Sequence, residues 1–297
     1  MRSGFVAIIG RPNVGKSTLL NRLVGTKLAI VSDKPQTTRN RIVGVRNYPS
    51  GQAIFLDTPG IHRPTHRMNV RMVDAAVEGI RQADIIALVS DATDARAGRG
   101  ERFILDQVEK ATVPVALVVN KIDLVARQAL LPLIDQWSRR RAFADIIPVS
   151  ALTGENVDRL EQVILEHLPE GDPMYPTDYL TDQPERFFVA ETVREQVLRL
   201  THAEIPFSSA VAVDRFEEAD AKGIMRFYCS ILVERESQKP ILIGRGGEMI
   251  KQIGTMARQN LETFFETKVF LDLRVKVRAE WREDGRLLDE LGLPGRW

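Results

Sequence analysis

Phe5-Val-Ala-Ile-Ile-Gly10-Arg-Pro-Asn-Val-Gly15-Lys16-Ser17-Thr18 decides the fold. Phe5–Ile9 is an apolar run of strand length, and Lys16–Leu23 has the spacing of an amphipathic helix. Between them stands a complete G-x-x-x-x-G-K-[ST]. Gly10 and Gly15 let the backbone curl so that N–H groups face an anion, and the helix N-terminus behind them adds positive potential. The order strand, loop, helix lifts the motif above a chance match. The implied ligand is a nucleoside phosphate lined by Gly10, Asn13, Val14, Gly15 and Thr18. Lys16 would neutralise its β- and γ-phosphates, and the Ser17 hydroxyl suits Mg²⁺.

The same alternation continues outward. Ala53–Leu56, Ile85–Val89, Val115–Val119 and Ile146–Val149 are further β-rich runs. Helical stretches lie at Met68–Arg81, Gly100–Lys110, Gln128–Arg139 and Val157–Leu168. Continuous apolar strands between helices are what a parallel sheet covered on both faces requires. Residues 1–170 are therefore expected to form a doubly wound, mostly parallel α/β domain.

Two strand ends carry the remaining chemistry of this domain. Asp57-Thr-Pro-Gly60 places an acid where it can hold Mg²⁺, with the Gly60 amide near a γ-phosphate. Asn120-Lys121-Ile122-Asp123 reads the base. The Asp123 carboxylate can accept from N1–H and N2–H₂ of guanine, whereas adenine would leave it unpaired at a cost of a few kcal/mol. Asn120 can meet N7 and brace the loop, and the Lys121 stem can lie over the base. At Ser150-Ala151 a backbone N–H could reach guanine O6. The ligands are thus GTP and GDP rather than ATP.

These motifs resemble those of the translation-factor-like GTPases across residues 1–170. The resemblance implies a switch threonine that completes the Mg²⁺ shell, assigned to Thr38 within Pro35-Gln-Thr-Thr-Arg39, with Thr37 open as the alternative. It also implies Lys16, Thr38 and Gly60 as the catalytic set. One position departs from Ras-type enzymes, which orient the attacking water with a glutamine just past the Asp-x-x-Gly. Here Ile61 follows Gly60, so hydrolysis is expected to be slow without a partner or a second cation. In related GTPases an Asn at the Asn13 position helps hold K⁺, which implies K⁺ as that cation. A loop-stabilising or exposed Asn13 is the alternative.

The 297 residues suggest about two domains. A hydrophobic share of 44% with 27% charged residues is ordinary for a globular protein, and the net charge of +1 names no partner. A single cysteine, Cys229, excludes an intramolecular disulfide framework and fits a reducing compartment. No apolar run approaches the roughly 20 residues that span a bilayer, and no signal-peptide pattern is present. A cytoplasmic location is expected.

After Leu168 the pattern stops. Pro169, Gly171, Pro173, Pro176 and Pro184 mark a linker over 171–183. From 184 to 297 the periodicity is α+β. Arg186–Thr201 reads as a helix. Ser209–Phe216 and Arg226–Arg235 alternate like half-exposed antiparallel strands. Ile250–Phe265 is helical with a break expected near Gly254, and Lys268–Val277 alternates again. Ile243-Gly244-Arg245-Gly246-Gly247-Glu248-Met249-Ile250 matches the I-G-x-x-G-x-x-I signature of a KH domain, whose turn clamps about four single-stranded nucleotides. The helix–strand–strand–helix–helix–strand order is that of the type II KH fold. Ile243, Gly244, Arg245, Gly246, Gly247, Lys251 and Arg258 are the expected RNA contacts. Residues 184–297 carry 18 basic and 19 acidic residues, but Lys239–Arg278 carries 8 against 4. Positive charge is concentrated where a nucleic-acid groove needs it.

A GTPase domain followed by this KH domain resembles the bacterial Era GTPase family over nearly the whole chain. The resemblance implies binding of the single-stranded 3′ end of 16S rRNA and assistance to small (30S) ribosomal subunit assembly. It also implies peripheral association with the inner membrane. The competing reading is a non-ribosomal GTPase whose second domain grips a protein or membrane partner. A further rival is an RNA-binding scaffold that holds GTP without turning it over.

Overall fold

The computed structural model describes residues 1–34, 36–60, 66–94, 102–221 and 223–293. The chain divides into two compact units. Unit 1 comprises Met1–Ala29, Thr38–Pro64 and Met72–Asp182, and unit 2 comprises Ile30–Thr37, Thr65–Arg71 and Gln183–Trp297.

Unit 1 runs β1 (Arg2–Gly10), α1 (Lys16–Val24), β2 (Ile42–Tyr48), β3 (Gly51–Asp57), α2 (Arg67–Gln82, which starts in unit 2), β4 (Ile85–Asp91), α3 (Arg102–Val108), β5 (Val115–Asn120), α4 (Arg127–Ser138), β6 (Asp145–Pro148) and α5 (Val157–His167). The six strands form one sheet in the order β2-β3-β1-β4-β5-β6. All five expected strands are present and parallel. β2 was not expected; it pairs antiparallel with β3, from Ile42 opposite Asp57 to Tyr48 opposite Gly51. Its sequence hides it, because Gly44 and the exposed Arg46 interrupt the apolar run. The buried side chains of β1, β4 and β5 pack with α2, α3 and α4 around the fully buried Trp137. Ile8 lies opposite Asp57, Gly10 opposite Val89, and Asp91 opposite Asn120. That register sets the chemistry-bearing ends of β1, β3, β4 and β5 along one carboxyl edge, where such sheets bind ligands.

The stretch expected to be a linker is bound to unit 1 as far as Asp182. Val45 N–H donates to Leu180 O (2.8 Å), and the Thr181 hydroxyl donates to Val43 O (2.6 Å). Gln52, completely buried, donates to Tyr175 O and accepts from the amides of Met174 and Tyr175, all at 2.8–2.9 Å. The bonds to Val43 and Val45 cover part of the edge that β2 would otherwise expose.

Unit 2 contains α6 (Glu185–Leu200), α7 (Ile205–Ser208), β7 (Ala210–Glu217), β8 (Ile224–Val233), α8 (Lys239–Ile243), α9 (Glu248–Phe265), β9 (Lys268–Val277) and α10 (Gly285–Glu290). Its sheet has the order β7-β8-β9, antiparallel between β7 and β8 and parallel between β8 and β9. α9 is one helix of 18 residues, not broken near Gly254 as expected. A glycine there costs about 1 kcal/mol relative to alanine. Full burial of Ile253, Ala257 and Leu261 on the same helix offsets it. A Cβ on Gly254 would lie 3.4 Å from Leu273, an ordinary van der Waals contact, so packing against β9 does not itself demand glycine there. Cys229 is buried in β8, and that burial pushes its thiol up to about 12, so it stays protonated and inert. Glu195 of α6 accepts from Val31 N–H (3.2 Å), and the buried Arg194 donates to Thr37 O, which holds segment Ile30–Thr37 in unit 2. No helix among the described residues is long and apolar enough to cross a membrane.

Candidate nucleotide site and nucleic-acid interface

The phosphate loop joins β1 to α1. Gly15 has φ +96°, and a Cβ there would lie 2.3 Å from Asn120 Nδ2, so both backbone shape and space demand glycine. Asn13 adopts the left-handed conformation with φ +65°. Lys16 is buried and donates to Arg11 O (2.8 Å). Burial lowers its pKa to about 8, opposed by the charge of Asp57. A phosphate is the partner that would restore the full charge of that ammonium.

Ser17 Oγ donates to Asp57 Oδ2 (2.8 Å) and lies 2.6 Å from Thr38 Oγ1. The Thr37 hydroxyl is turned away, donating to Lys34 O (2.6 Å). The structure therefore brings Thr38, and not Thr37, to Ser17 and Asp57. Asp57 is completely buried, and burial raises its carboxyl to about 6, opposed by Lys16, Ser17, Thr38 and the Thr58 backbone. Its Oδ1 is buried with no hydrogen-bond partner among the described residues. An orphaned carboxylate oxygen beside two hydroxyls is a donor set for a hard divalent cation, so these residues fit Mg²⁺. A Cβ on Gly60 would lie 2.8 Å from the Pro12 nitrogen, which packs Gly60 directly against the phosphate loop. Ile61 lies outside the described residues.

Asn120 links the Gly10–Ser17 loop to the turn after β6. Its Nδ2 donates to Val14 O (2.8 Å), and its Oδ1 accepts from Ala151 N–H (2.9 Å). The Ala151 amide, a candidate for guanine O6 in the sequence, is thus already engaged by Asn120. Ser150 is fully buried, and its Oγ accepts from Thr153 N–H (3.1 Å). Asp123 stands exposed in a short 3₁₀ turn, Ile122–Leu124. Lys121 has φ +67°, and its ammonium donates to Asp91 Oδ2 (2.6 Å).

Three supporting contacts are not visible in the sequence. Asp91, fixed by Thr93 N–H (2.9 Å) and Thr93 Oγ1 (2.7 Å), orients Lys121. Arg11 of the phosphate loop pairs with Asp94 (2.9 Å). Arg22 of α1 donates to Leu152 O (2.5 Å) and Ala151 O (3.3 Å), bracing the loop after β6. The only signal for Asp91 is its place at the carboxyl end of an apolar strand.

In unit 2, Gly244 to Gly247 joins α8 to α9. Gly244 (φ +75°) packs so closely on Met249 that a Cβ would lie 2.7 Å from the Met249 amide nitrogen. Gly246 (φ +61°) and Gly247 (φ +84°) have nothing among the described residues within 4 Å of an added Cβ. These two glycines serve backbone shape and leave the turn open to close approach. A groove of about 320 Å³ follows, lined by Ile250, Lys251, Gly254, Thr255, Arg258, Leu271 and Leu273. Arg245 and Lys251 are exposed and Ile243 is half-buried. Arg258 is chelated by Glu262 at 2.9 and 3.0 Å, so its charge is less available than the sequence implied.

Residues 5–121 match the family described as 50S ribosome-binding GTPase, and residues 204–282 match the KH domain. The chain is 53% identical to GTPase Era of Geotalea uraniireducens, over 98% of this chain and 97% of that protein. The chain belongs to the Era GTPase family. Era of Geobacter metallireducens is 50% identical over the same shares. A crystallised variant of Aquifex aeolicus Era bound to GDP and AlF₄⁻ matches with a TM-score of 0.96 at 42% identity, covering 99% of this chain and 100% of that one. Era in complex with MgGDPNP and nucleotides 1506–1542 of 16S ribosomal RNA matches equally well. Like the rest of the Era family, this chain is a GTP hydrolase with a P-loop domain and a KH domain.

Proposed function

We propose that this Era-family GTPase binds the single-stranded 3′ end of 16S rRNA in its KH groove and assists assembly of the 30S subunit, with GTP hydrolysis as the switch. The open Gly246–Gly247 turn beside a groove carries the reading. The Era relative that holds MgGDPNP and 16S rRNA together supports it.

Each residue then has a role. Backbone N–H groups of Asn13, Val14, Gly15 and Thr18 cradle the phosphates, and Lys16 neutralises developing charge on the leaving oxygens. Ser17, Thr38 and Asp57 would hold Mg²⁺, which would supply charge neutralisation at the phosphates. Gly60 N–H faces the γ-phosphate. Asp123 reads N1–H and N2–H₂, the Lys121 stem covers the base, and the second Nδ2 hydrogen of Asn120 serves N7. Ser150 and Ala151 close the base pocket. Ile243, Gly244, Arg245, Gly246, Gly247, Lys251 and Arg258 approach the RNA. A cytoplasmic location with peripheral association at the inner membrane is what the family resemblance implies.

Asn13 would help hold K⁺, which would supply positive charge to the site, so turnover is expected to be faster in K⁺ than in Na⁺. Equal rates in the two salts would remove that role. The switch works through the segments next to Thr38 and Gly60, which γ-phosphate and Mg²⁺ order and hydrolysis releases. Segment Ile30–Thr37, held by Arg194 and Glu195, directly precedes Thr38. Because coupling is reciprocal, RNA affinity must differ between GTP-bound and GDP-bound protein. The test is RNA affinity measured with a GTP analogue, with GDP and without nucleotide; three identical values would end the switch.

A further inference from the structure

The sheet of unit 2 has two faces, and the KH groove uses one of them. Val269, Leu271, Leu273 and Val275 of β9 turn toward the helices, and Leu271 and Leu273 line the groove. Their neighbours in the chain turn the other way. On that outer face, Glu217, Arg226 and Phe270 stand side by side across the three strands, and the next row is Arg215, Tyr228 and Asp272. A register shift between Val213 and Arg215 is what sets Arg215 opposite Tyr228.

The rows form an alternation of rings and guanidinium groups. The Tyr228 and Phe270 rings lie 5.9 Å apart at 58°. Arg215 sits 5.5 Å from the Tyr228 ring centre, and Arg226 sits 5.6 Å from that of Phe270. Phe270 remains 42% exposed, so its ring has free surface. Acids balance the cations, but unevenly toward solvent. Arg215 is 69% exposed against 33% for its partner Glu217, and Arg274 is 71% exposed against 32% for Asp272. Arg226 is matched evenly with Glu217 and Asp220. A polyanion therefore meets cations first over Tyr228 and Asp272.

We propose that this outer face is a second RNA-binding surface, on which Phe270 and Tyr228 stack bases of a single strand that continues beyond the groove. Arg215 and Arg274, each more exposed than its acid, meet its phosphates. Three observations point to single-stranded RNA. Two rings set among guanidinium groups make a stacking platform, since every base has a π-face. Phe270 is the large apolar side chain this patch exposes, and charged neighbours on every side break up the apolar continuity that a protein interface core needs. β9 is an edge strand, so a chain leaving the groove over Leu271 and Leu273 passes directly to Phe270 and Arg274. The proposal rests on the reading that the groove binds RNA.

The test uses the full-length protein and two RNAs taken from the 3′ end of a bacterial 16S rRNA. One, of about five nucleotides, just fills the groove; the other has about fifteen. Fluorescence anisotropy is read for the unaltered chain, Phe270→Ala, Arg274→Glu and Gly246→Asp. Phe270→Ala is expected to weaken the longer RNA roughly five-fold or more and leave the shorter one unchanged. Arg274→Glu should follow the same pattern and lessen the salt dependence. Unchanged affinity for the longer RNA in both variants would overturn the proposal, as would equal losses on both lengths. Gly246→Asp tests the groove separately: if it binds the short RNA normally, the groove reading fails, while the Phe270→Ala result still decides the outer face. An unaltered chain that binds neither RNA overturns both.

Discussion

Replacing Asn120 by alanine removes two hydrogen bonds that tie the phosphate loop to the base-reading loops. Nδ2 to Val14 O spans 2.8 Å and Ala151 N–H to Oδ1 spans 2.9 Å, both in a residue only 2% exposed. Leaving a buried donor or acceptor unsatisfied costs about 1–3 kcal/mol. The variant leaves one of each, Ala151 N–H and Val14 O. Water entering the space of the lost side chain recovers part of this, so about 2–4 kcal/mol is expected to appear in nucleotide binding. That corresponds to a loss of roughly 30- to 1,000-fold in affinity. Because both loops loosen, the loss should show mainly as faster release. Stopped-flow displacement of a fluorescent GDP measures it directly. GTP and GDP should suffer alike, since neither bond involves the γ-phosphate. Release within about three-fold of the unaltered rate would refute the bridging role assigned to Asn120.

Gly15→Ala should be more severe, because its Cβ would stand 2.3 Å from Asn120 Nδ2 at φ +96°; equilibrium GDP binding should be lost or nearly so. Binding of Mg²⁺–GTP should have a bell-shaped pH dependence. Below about 6 a proton competes with Mg²⁺ for the Asp57 carboxylate, and above about 8 Lys16 loses the charge that phosphate requires. Titration of affinity from about pH 5 to about 9.5 would show both limbs, and a flat profile would contradict this site electrostatics. Turnover should rise when K⁺ replaces Na⁺ at constant ionic strength, read by phosphate release.

The candidate nucleotide site was legible because its motifs fix backbone shape locally. Gly10 to Ser17, Asp57 to Gly60 and Asn120 to Asp123 each sit at a strand end, and strand periodicity alone finds those ends. What the sequence hid depends on residues far apart in the chain. Thr37 and Thr38 are chemically equivalent as text, and only the path of the loop turns one toward Ser17 and the other toward Lys34. Asp91 and Arg22 act 30 and more residues from the segments they support. β2 escaped because an edge strand needs little apolar alternation once residues 174–181 cover it. The docking of that stretch was hidden too, since a glutamine at position 52 gives no sign that it is buried and fully bonded. The break expected at Gly254 follows helix propensity, which the buried face of α9 overrides. Arg258 looks like a free cation in the sequence, and Glu262 one turn later claims much of its charge.

The most direct test of the account is to crosslink the full-length protein to total bacterial RNA and sequence what it holds, beside Gly246→Asp as the control. Reads concentrated at the 3′ end of 16S rRNA, and lost in Gly246→Asp, are predicted. Reads spread without preference over cellular RNA, or a 16S signal that survives Gly246→Asp, would contradict it.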